Sequence, residues 1–312
     1  MGKTRMLTEG ALMLAIFIVM ILVMIFVPIL GVIIQLFLIL PFLLYSSKHS
    51  VKYSIILGIS AMLLSFILGS FVGLLFAFLY GTTGLMMGYC IKRKESKRTI
   101  YLASSVVFLF SLVLIFVISA LFFNLNFLTE YQRIFQTSID QYIEALKTLG
   151  QSPPLELQEQ LREMVQILSL MAPTLMVGTA FINVIVIIVV NFPIAKRLGV
   201  EVPKFSPFRN LNFPKSIVWI YLLVILLSFI VNNDSGSFWQ MAILNASFIL
   251  QSLLVIQGLS FIFYFAHLKK WSKAIPIIAV VLTLFLPFFL SIVRVLGIID
   301  IGFNLRQRLS QS

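Results

Sequence analysis

Six polar side chains interrupt the long apolar runs of this sequence, and their amide and guanidinium groups are the ones best suited to bind a ligand. Lipid offers no hydrogen-bonding partner, so each of them must face protein or a water-filled cavity. Two explanations fit: hydrogen bonds between packed helices, or a cavity that recognises a polar, largely uncharged solute. The six residues are Gln35, Asn183, Asn245, Gln251, Gln257 and Arg294.

Helical spacing and charge single out some of these positions. Thr179 and Asn183 lie four residues apart and therefore share one helix face. Arg294 is a permanent cation inside an apolar run, so it requires an anion, a lipid headgroup or carbonyl oxygens, unless its side chain reaches the membrane surface. The candidate residues for an outward-facing cavity are Thr179, Asn183, Asn245, Gln251 and Arg294.

The sequence offers little for catalysis or for metal binding. Its two histidines, His49 and His267, both lie in predicted loops beside lysines, and its one cysteine, Cys90, excludes a disulfide framework. The motifs Gly-x-x-x-x-Gly-Lys-Ser/Thr, His-Glu-x-x-His and Gly-x-Ser-x-Gly are absent, and no pair of acids lies within an apolar run. We therefore predict no catalytic residues, no metal site and no cofactor, and no ATP binding through a phosphate loop.

The composition requires lipid as the main solvent. Of the 312 residues, 60% are hydrophobic and only 11% are charged, which is more apolar surface than a soluble domain can bury. A net charge of +12 would suggest nucleic acid as the partner of a soluble protein. Here the cations lie in short loops between apolar runs, so they indicate membrane topology and contact with the lipid bilayer rather than nucleic acid.

Nine apolar runs are candidates for membrane spans, and the loops between them show a strong charge asymmetry. If the runs cross in order, 17 of the 23 lysines and arginines fall on the side of the N-terminus. The positive-inside rule then places the N-terminus in the cytoplasm. The first run is longer than a signal peptide core and lacks a small-residue cleavage site, so we expect it to be retained. The runs are 9–27, 29–45, 54–69, 71–91, 100–124, 168–191, 215–231, 241–266 and 274–298.

The predicted fold is an all-α integral membrane protein, a bundle of eight to nine transmembrane helices with an extracytoplasmic helical hairpin. Its parts are residues 1–124 with about five spans, the hairpin 125–167, residues 168–298 with three to four spans, and a basic tail, 299–312.

Two stretches allow more than one topology. Residues 54–91 form either two short spans that turn at Gly69-Ser70 or one long helix followed by a half-helix, and the first option keeps the basic loop 92–98 inside. The last run is interrupted by Pro287. A straight ninth span would export Arg306 and Arg308, whereas a re-entrant or interfacial segment would keep them inside.

Residues 125–167 have the pattern of two amphipathic helices. Leu128, Tyr131 and Phe135 begin an apolar series at helical spacing with acids and amides between its members. Residues 150–154 then break the helix, and Ser152 is placed to cap a second one. Such a hairpin is either a structural elaboration on the outer membrane surface or a lid over an outward-facing cavity.

The opening Lys-Thr-Arg-Met-Leu-Thr-Glu-Gly-Ala-Leu-Met-Leu-Ala (3–15), the acidic hairpin and the closing Gly-Ile-Ile-Asp-Ile-Gly-Phe-Asn-Leu-Arg (297–306) resemble the YybS-like family of bacterial polytopic membrane proteins. That family is distantly similar to the S components of energy-coupling-factor (ECF) transporters, which capture vitamins or metal ions and dock on a transmembrane coupling protein driven by ATPases. The resemblance implies that Ala11 and Ala15 match the Ala-x-x-x-Ala motif that contacts the coupling protein. The sequence differs from S components in having more than six spans and no vitamin-binding signature.

Two functions therefore stand as hypotheses. The first is a solute-binding transport subunit of the S-component type, which binds a small solute and relies on ATPases in other subunits. The second is a non-transporting membrane scaffold or regulator, whose basic loops at 92–98 and 196–215 bind anionic lipid or a cytoplasmic partner.

Overall fold

The computed structural model describes residues 3–123, 127–150, 154–203, 207–230 and 238–311. Within these ranges the chain is helical and has no strand, which confirms the predicted all-α class. The α-helices are α1 (Lys3–Phe26), α2 (Pro28–Ile34), α3 (Leu40–Lys48), α4 (Val51–Lys92), α5 (Lys97–Phe123), α6 (Phe127–Thr148), α7 (Leu155–Leu170), α8 (Ala172–Arg197), α9 (Ser216–Ile230), α10 (Phe238–Leu268), α11 (Ala274–Phe285), α12 (Pro287–Phe303) and α13 (Leu305–Gln311).

Six helical stretches in the described ranges are long and apolar enough to cross a membrane, and α11 with α12 would add a seventh if that bent pair is one span. The predicted number of eight or nine is higher because it divides α4 into two spans and counts α9, which has only 15 residues. That number stays a prediction. The six stretches are Thr4–Phe26, Ile29–Lys48, Val51–Lys92, Lys97–Phe122, Ala172–Arg197 and Phe238–Leu268.

The chain reverses its direction inside α4, at Ser70. The backbone of Ser70 leaves the helical conformation, with φ 54° and ψ −159°. A Cβ atom built on Gly73 would lie 2.5 Å from the carbonyl oxygen of Ser65, whereas residues eight apart in a straight helix are separated by about 12 Å. Residues 51–69 and 71–92 are therefore two antiparallel arms, which confirms the predicted turn at Gly69-Ser70.

The contacts divide the chain into two compact units. The first contains Met1–Ile134 and Leu175–Lys204, and the second contains Phe135–Thr174 and Phe205–Ser312. The predicted four-part division of the chain concerns membrane topology and stays a prediction.

In the first unit, α1 and the second arm of α4 pack on α3. The rings of Phe17 and Phe42 meet edge to face with centroids 4.7 Å apart. A Cβ atom on Gly88 would lie 2.5 Å from the carbonyl oxygen of Leu43. Because only glycine allows the two backbones to approach so closely, the contact between α3 and α4 depends on it.

In the second unit, α10 and α12 cross with their backbones in contact. A Cβ atom on Gly258 would lie 2.0 Å from the carbonyl oxygen of Val293, and one on Gly297 would lie 2.0 Å from that of Leu254. Both positions therefore require glycine. The two glycines determine where along their axes α10 and α12 cross.

The predicted amphipathic helices correspond to α6 and α7. Gly150 has φ 77°, a conformation that ends a helix, and α7 begins at Leu155. The predicted capping residue Ser152 lies outside the described residues. Arg162 Nη2 lies 4.0 Å from Asp140 Oδ1, so the two helices are neighbours there. Their position outside the membrane stays a prediction.

Candidate functional site

Among the described residues of the second unit, an extensive buried polar arrangement is centred on Asp300, near the end of α12. Asp300 Oδ2 accepts hydrogen bonds from Arg306 Nε at 2.9 Å and from Gln257 Nε2 at 2.6 Å, and it lies 2.8 Å from Arg306 Nη2. Asp300 and Gln257 are both buried. Asp300 Oδ1 is also buried, and none of the described residues donates a hydrogen bond to it. One carboxylate oxygen thus carries all three interactions.

A left-handed residue makes this ion pair possible. Asn304 ends α12 with φ 50° and ψ 47°, and α13 starts at the next residue. Residues six apart in a continuous helix point in different directions, so Arg306 reaches Asp300 only because the chain turns at Asn304. Asparagine tolerates this conformation better than most residues, which explains its presence between the two helices.

The second partner of Asp300, Gln257, connects the pair to the segment before α9. Gln257 Oε1 accepts a hydrogen bond from the backbone N–H of Phe213 at 3.0 Å, and Gln257 Nε2 also donates to Asn212 Oδ1 at 3.0 Å. Every polar atom of this buried amide therefore has a partner, as a residue in the middle of a membrane helix requires.

Arg306 makes further contacts with the same segment and with α10. Its Nη1 donates to the carbonyl oxygen of Arg209 at 2.8 Å, and its Nη2 donates to Ser260 Oγ at 3.1 Å. Its guanidinium carbon lies 5.4 Å from the centroid of the Tyr264 ring. We call Asp300, Arg306, Gln257, Ser260 and Asn212 the Asp300 cluster.

The Asp300 cluster consists of one buried ion pair and the hydrogen bonds around it. The carboxylate and the guanidinium neutralise each other, and a guanidinium stays protonated at any physiological pH. Among the described residues, no three His, Cys, Asp or Glu side chains come together as a metal site would need. What the cluster does is join α10, α12, α13 and residues 208–213 through one buried ion pair.

A second, smaller arrangement lies in the first unit, where α1 meets the end of α3. Glu9 Oε2 lies 2.8 Å from Nε2 of the buried His49, and Arg5 Nε donates to Glu9 Oε1 at 3.3 Å. Lys92 Nζ donates to the backbone carbonyl of His49 at 2.6 Å. We call Glu9, His49, Arg5 and Lys92 the Glu9 cluster. Sequence analysis places His49 in a loop, and the structure adds that this loop residue is buried against α1.

The candidate residues for contact with a coupling protein, Ala11 and Ala15, are both exposed on α1. The side of α1 that carries Gly10, Phe17 and Ile21 is buried within the first unit. The predicted contact surface is therefore open in this unit.

The candidate residues for a cavity are divided between the two units. Thr179 and Asn183 belong to the first, where Asn183 Nδ2 donates to the backbone carbonyl of Thr179 at 2.9 Å. Asn245, Gln251 and Arg294 belong to the second. Gln251 and Arg294 are half-buried, and the buried Nε atom of Arg294 has no hydrogen-bond partner among the described residues. A cavity common to all five stays a prediction.

Asn245 has all its hydrogen-bonding capacity in use within the second unit. Its amide nitrogen donates to the carbonyl oxygens of Leu170 at 2.8 Å and Met241 at 2.7 Å. Its amide oxygen accepts from the backbone N–H of Thr174 at 3.1 Å and from the hydroxyl of Thr174 at 2.5 Å. Gln35 likewise donates to Tyr80 Oη at 2.7 Å. Hydrogen bonding between helices therefore accounts for Gln35, Asn245 and Gln257.

Two cavities formed by described residues of the first unit have other linings than the five candidates. The larger, about 370 Å³, is an open cleft in the first unit, and the smaller has about 40 Å³. The larger cleft is lined by Lys196, Gly199, Val200, Glu201 and Val202. The smaller is lined by Ser46, Val51, Ser54, Ile55, Leu85 and Tyr89.

Sequence analysis did not identify Asp300 and Arg306 as a pair, although both lie in the closing segment 297–306. The available signal was that Asp300 is the only acid after Asp234 and lies two residues beyond the last apolar run. Glu9 was missed as well, because its partner lies 40 residues away along the chain.

Comparison with known proteins agrees with the membrane class. A family described as "Predicted membrane protein (DUF2232)" matches residues 15–301. The chain is also 35% identical over 309 residues to "Uncharacterized protein YybS" of Bacillus subtilis (strain 168), and the match covers 99% of each chain. No solved structure matches it. The predicted resemblance to the YybS-like family is confirmed, whereas the more distant similarity to ECF S components stays a prediction.

Proposed function

This chain belongs to the DUF2232 family of predicted membrane proteins, and we propose that it acts as a solute-binding transport subunit in a bacterial cell membrane. In this proposal the N-terminus is cytoplasmic, and a separate transmembrane coupling protein with its ATPases supplies the energy. The chain itself contributes binding and no catalytic step. Its solute is small and polar, and it is recognised by amide and hydroxyl groups.

The observation that carries this proposal is the exposed small-residue strip on α1. Ala11 and Ala15 are exposed on a helix whose other side is packed on α3 and α4. In a membrane, small side chains let two helix backbones approach closely, so such a strip suits docking of a second helix. A helix of a coupling protein is the partner that the proposal assigns to it.

The candidate cavity residues differ in how much of their hydrogen-bonding capacity is already used within the protein. The hydrogen bonds of Asn245 are all used within its own unit. Among the described residues, the Asn183 side chain makes one hydrogen bond, to the backbone of its own helix, so its amide oxygen is available to a solute. We therefore assign recognition to Thr179 and Asn183, which share one helix face in the first unit, before Asn245.

The test is purification of the native protein in mild detergent, followed by mass spectrometry of everything that accompanies it. We expect a coupling protein and ATPases with the wild type, and their loss with the double variant Ala11→Leu, Ala15→Leu. The matched control is Leu12→Phe, Ile16→Phe, which adds bulk to two exposed positions one residue further along α1. A wild-type protein that brings no ATPases, or a partner set that the alanine variant leaves unchanged, would overturn the proposal.

One observation favours the second function, a scaffold that binds anionic lipid. Lys94 Nζ lies 3.9 Å from Glu201 Oε2, so the turn between α4 and α5 is next to the segment that follows α8. The two basic loops named by the sequence therefore meet in the first unit, where their cations outnumber Glu95 and Glu201. These cations are Lys92, Arg93, Lys94, Lys97, Arg98, Lys196 and Arg197.

Native mass spectrometry of protein extracted with its lipids distinguishes this second function. The triple variant Arg93→Gln, Lys94→Gln, Arg197→Gln should retain fewer anionic phospholipids than the wild type if the surface binds their headgroups. Arg308→Gln is the control, because it removes a cation outside this surface. An unchanged lipid complement would count against the scaffold.

A further inference from the structure

The last two long helices do not continue one another. α11 and α12 are bent by 119° across the break at Leu286 and Pro287. Their 12 and 17 residues correspond to about 18 and 26 Å of helix, and a span needs about 20 residues. Each helix alone is therefore shorter than a span, and the bend turns the second back.

The N-terminal end of this helix pair lies beside the end of α10. α10 ends at Leu268 and α11 begins at Ala274. Between them, the backbone N–H of Trp271 donates to the carbonyl oxygen of Ala266 at 2.8 Å, and the Trp271 ring packs edge to face on Phe265 at 5.4 Å. The chain thus enters α11 from the level at which it leaves α10.

The C-terminal end of the pair returns to the same level. Arg306 contacts Ser260, and Tyr264 Oη donates to the carbonyl oxygen of Arg306 at 3.2 Å. Ser260 and Tyr264 lie only about 6–12 Å from Leu268 along the helix axis. Arg209, whose carbonyl oxygen accepts a bond from Arg306, lies in a basic loop that the charge asymmetry places inside.

We propose that α11 and α12 form a re-entrant hairpin that enters and leaves the bilayer on the cytoplasmic side, and that the Asp300–Arg306 pair latches its returning arm. This inference does not depend on the proposed transport function. It places the C-terminus in the cytoplasm, so that Arg306 and Arg308 join the other loop cations.

The latch is needed because the tip of the hairpin has few contacts of its own. Leu284, Phe285 and Phe288, next to the break, are between 72% and 79% exposed. Within the returning arm, burial begins at Val293 and Gly297, where α12 meets α10, and ends at Asp300 and Ile301. In the proposal, α12 is the arm that attaches the hairpin to α10, and the Asp300–Arg306 ion pair lies at the end of this contact.

Labelling of single cysteines tests the topology. Cys90 is buried and is first replaced, Cys90→Ala. Arg308→Cys, Lys269→Cys and Gln136→Cys are then treated with a membrane-impermeant maleimide in intact cells and in inverted membrane vesicles. We expect positions 308 and 269 to label at least about tenfold faster in inverted vesicles, and position 136 to show the opposite preference. Labelling of position 308 from the side opposite to 269, or equally from both sides, overturns the hairpin.

A second measurement tests the latch. In the Cys90→Ala background, the buried position of the Val293→Cys variant reports opening of the contact between α12 and α10. We expect Asp300→Asn, Arg306→Gln to raise its labelling by a membrane-permeant maleimide about tenfold, because this double variant leaves no buried charge but removes the ion pair. Arg308→Gln should leave it unchanged. Unchanged labelling in a double variant that elutes as a folded monodisperse protein overturns the latch.

Discussion

The Glu9 cluster and the Asp300 cluster place ionisable side chains between packed helices in two different ways. Each pairs an acid with a base near a close contact between helices. The Glu9 side chain is 26% exposed and its partner is a histidine, whereas the Asp300 side chain is 1% exposed and its partner is an arginine. The Glu9 pair, the shallow one, thus has one partly exposed member beside a buried His49, whereas both members of the Asp300 pair, the deep one, are largely buried.

The difference teaches where an ion pair can hold a membrane protein together. A buried pair contributes little net stability compared with apolar residues, but loss of one partner leaves a charge without compensation. Less should be lost at the Glu9 pair, because a glutamine at position 9 still offers a hydrogen-bond partner to the buried His49. The Asp300 cluster should therefore be sensitive to single substitutions and the Glu9 cluster tolerant of them.

The largest effect should follow removal of the cation from the deep pair. Arg306→Gln leaves Asp300 buried without its counter-charge, and we expect a loss of about 3–5 kcal/mol in stability. The measurement is the thermal or denaturant midpoint of the purified protein, with Arg308→Gln as the control. A change no larger than the control's would contradict the difference drawn between the two clusters.

The next effect concerns the glycine beside Asp300. Gly297→Ala places a methyl group against the carbonyl oxygen of Leu254, so α12 must move away from α10. We expect a loss of about 1–3 kcal/mol, the usual range for overpacking. Gly302→Ala on the same helix is the control, because a Cβ atom there meets nothing within 4 Å. Equal stability of the two variants would show that the crossing is not tight.

A smaller effect should follow loss of the shallow pair. Glu9→Gln keeps a hydrogen-bonding side chain beside His49 but removes the charge, and we expect about 0.5–1.5 kcal/mol. The same thermal measurement compares it with Arg306→Gln. If Glu9→Gln destabilised the protein as much as Arg306→Gln, the distinction between a pair with one partly exposed member and a fully buried pair would fail.

The smallest effect should come from a fully solvated pair, which extends the comparison to the surface. On α6, Arg133 donates hydrogen bonds to the Glu130 carboxylate and holds the pKa of Glu130 below its ordinary value. A lowered folded pKa means that the pair stabilises the fold at neutral pH and that this contribution is lost as the pH falls through that pKa. Arg133→Gln should raise the pKa of Glu130 in an NMR titration, with no measurable change in stability at pH 7.

Sequence patterns predicted the parts of the fold that depend on neighbours along the chain. A turn at Gly69-Ser70 within residues 54–91 was favoured because it keeps the basic loop 92–98 on the side of the other cationic loops, and the structure turns at that point. Apolar spacing likewise predicted two amphipathic helices where α6 and α7 lie.

The contacts that join distant residues could not be predicted in this way. Glu9 meets a residue 40 positions away, and Asp300 meets Gln257, which is 43 positions away. Such pairs depend on which helix faces meet, and apolar helices carry no periodic polar pattern that would reveal those faces. For the same reason, the sequence could not distinguish Asn245, which is bonded between helices, from a residue that lines a cavity.

The reversal at Ser70 has a consequence for how this protein is made. Both arms are apolar and about 30 Å long, and a single residue separates them, so insertion of the pair requires no hydrophilic loop to cross the bilayer. The arms can leave the translocation channel together as one unit and enter lipid already paired. In the proposed topology, with the N-terminus cytoplasmic, a hydrophilic tag inserted at Ser70 would remove that advantage, because the cell would then have to export it.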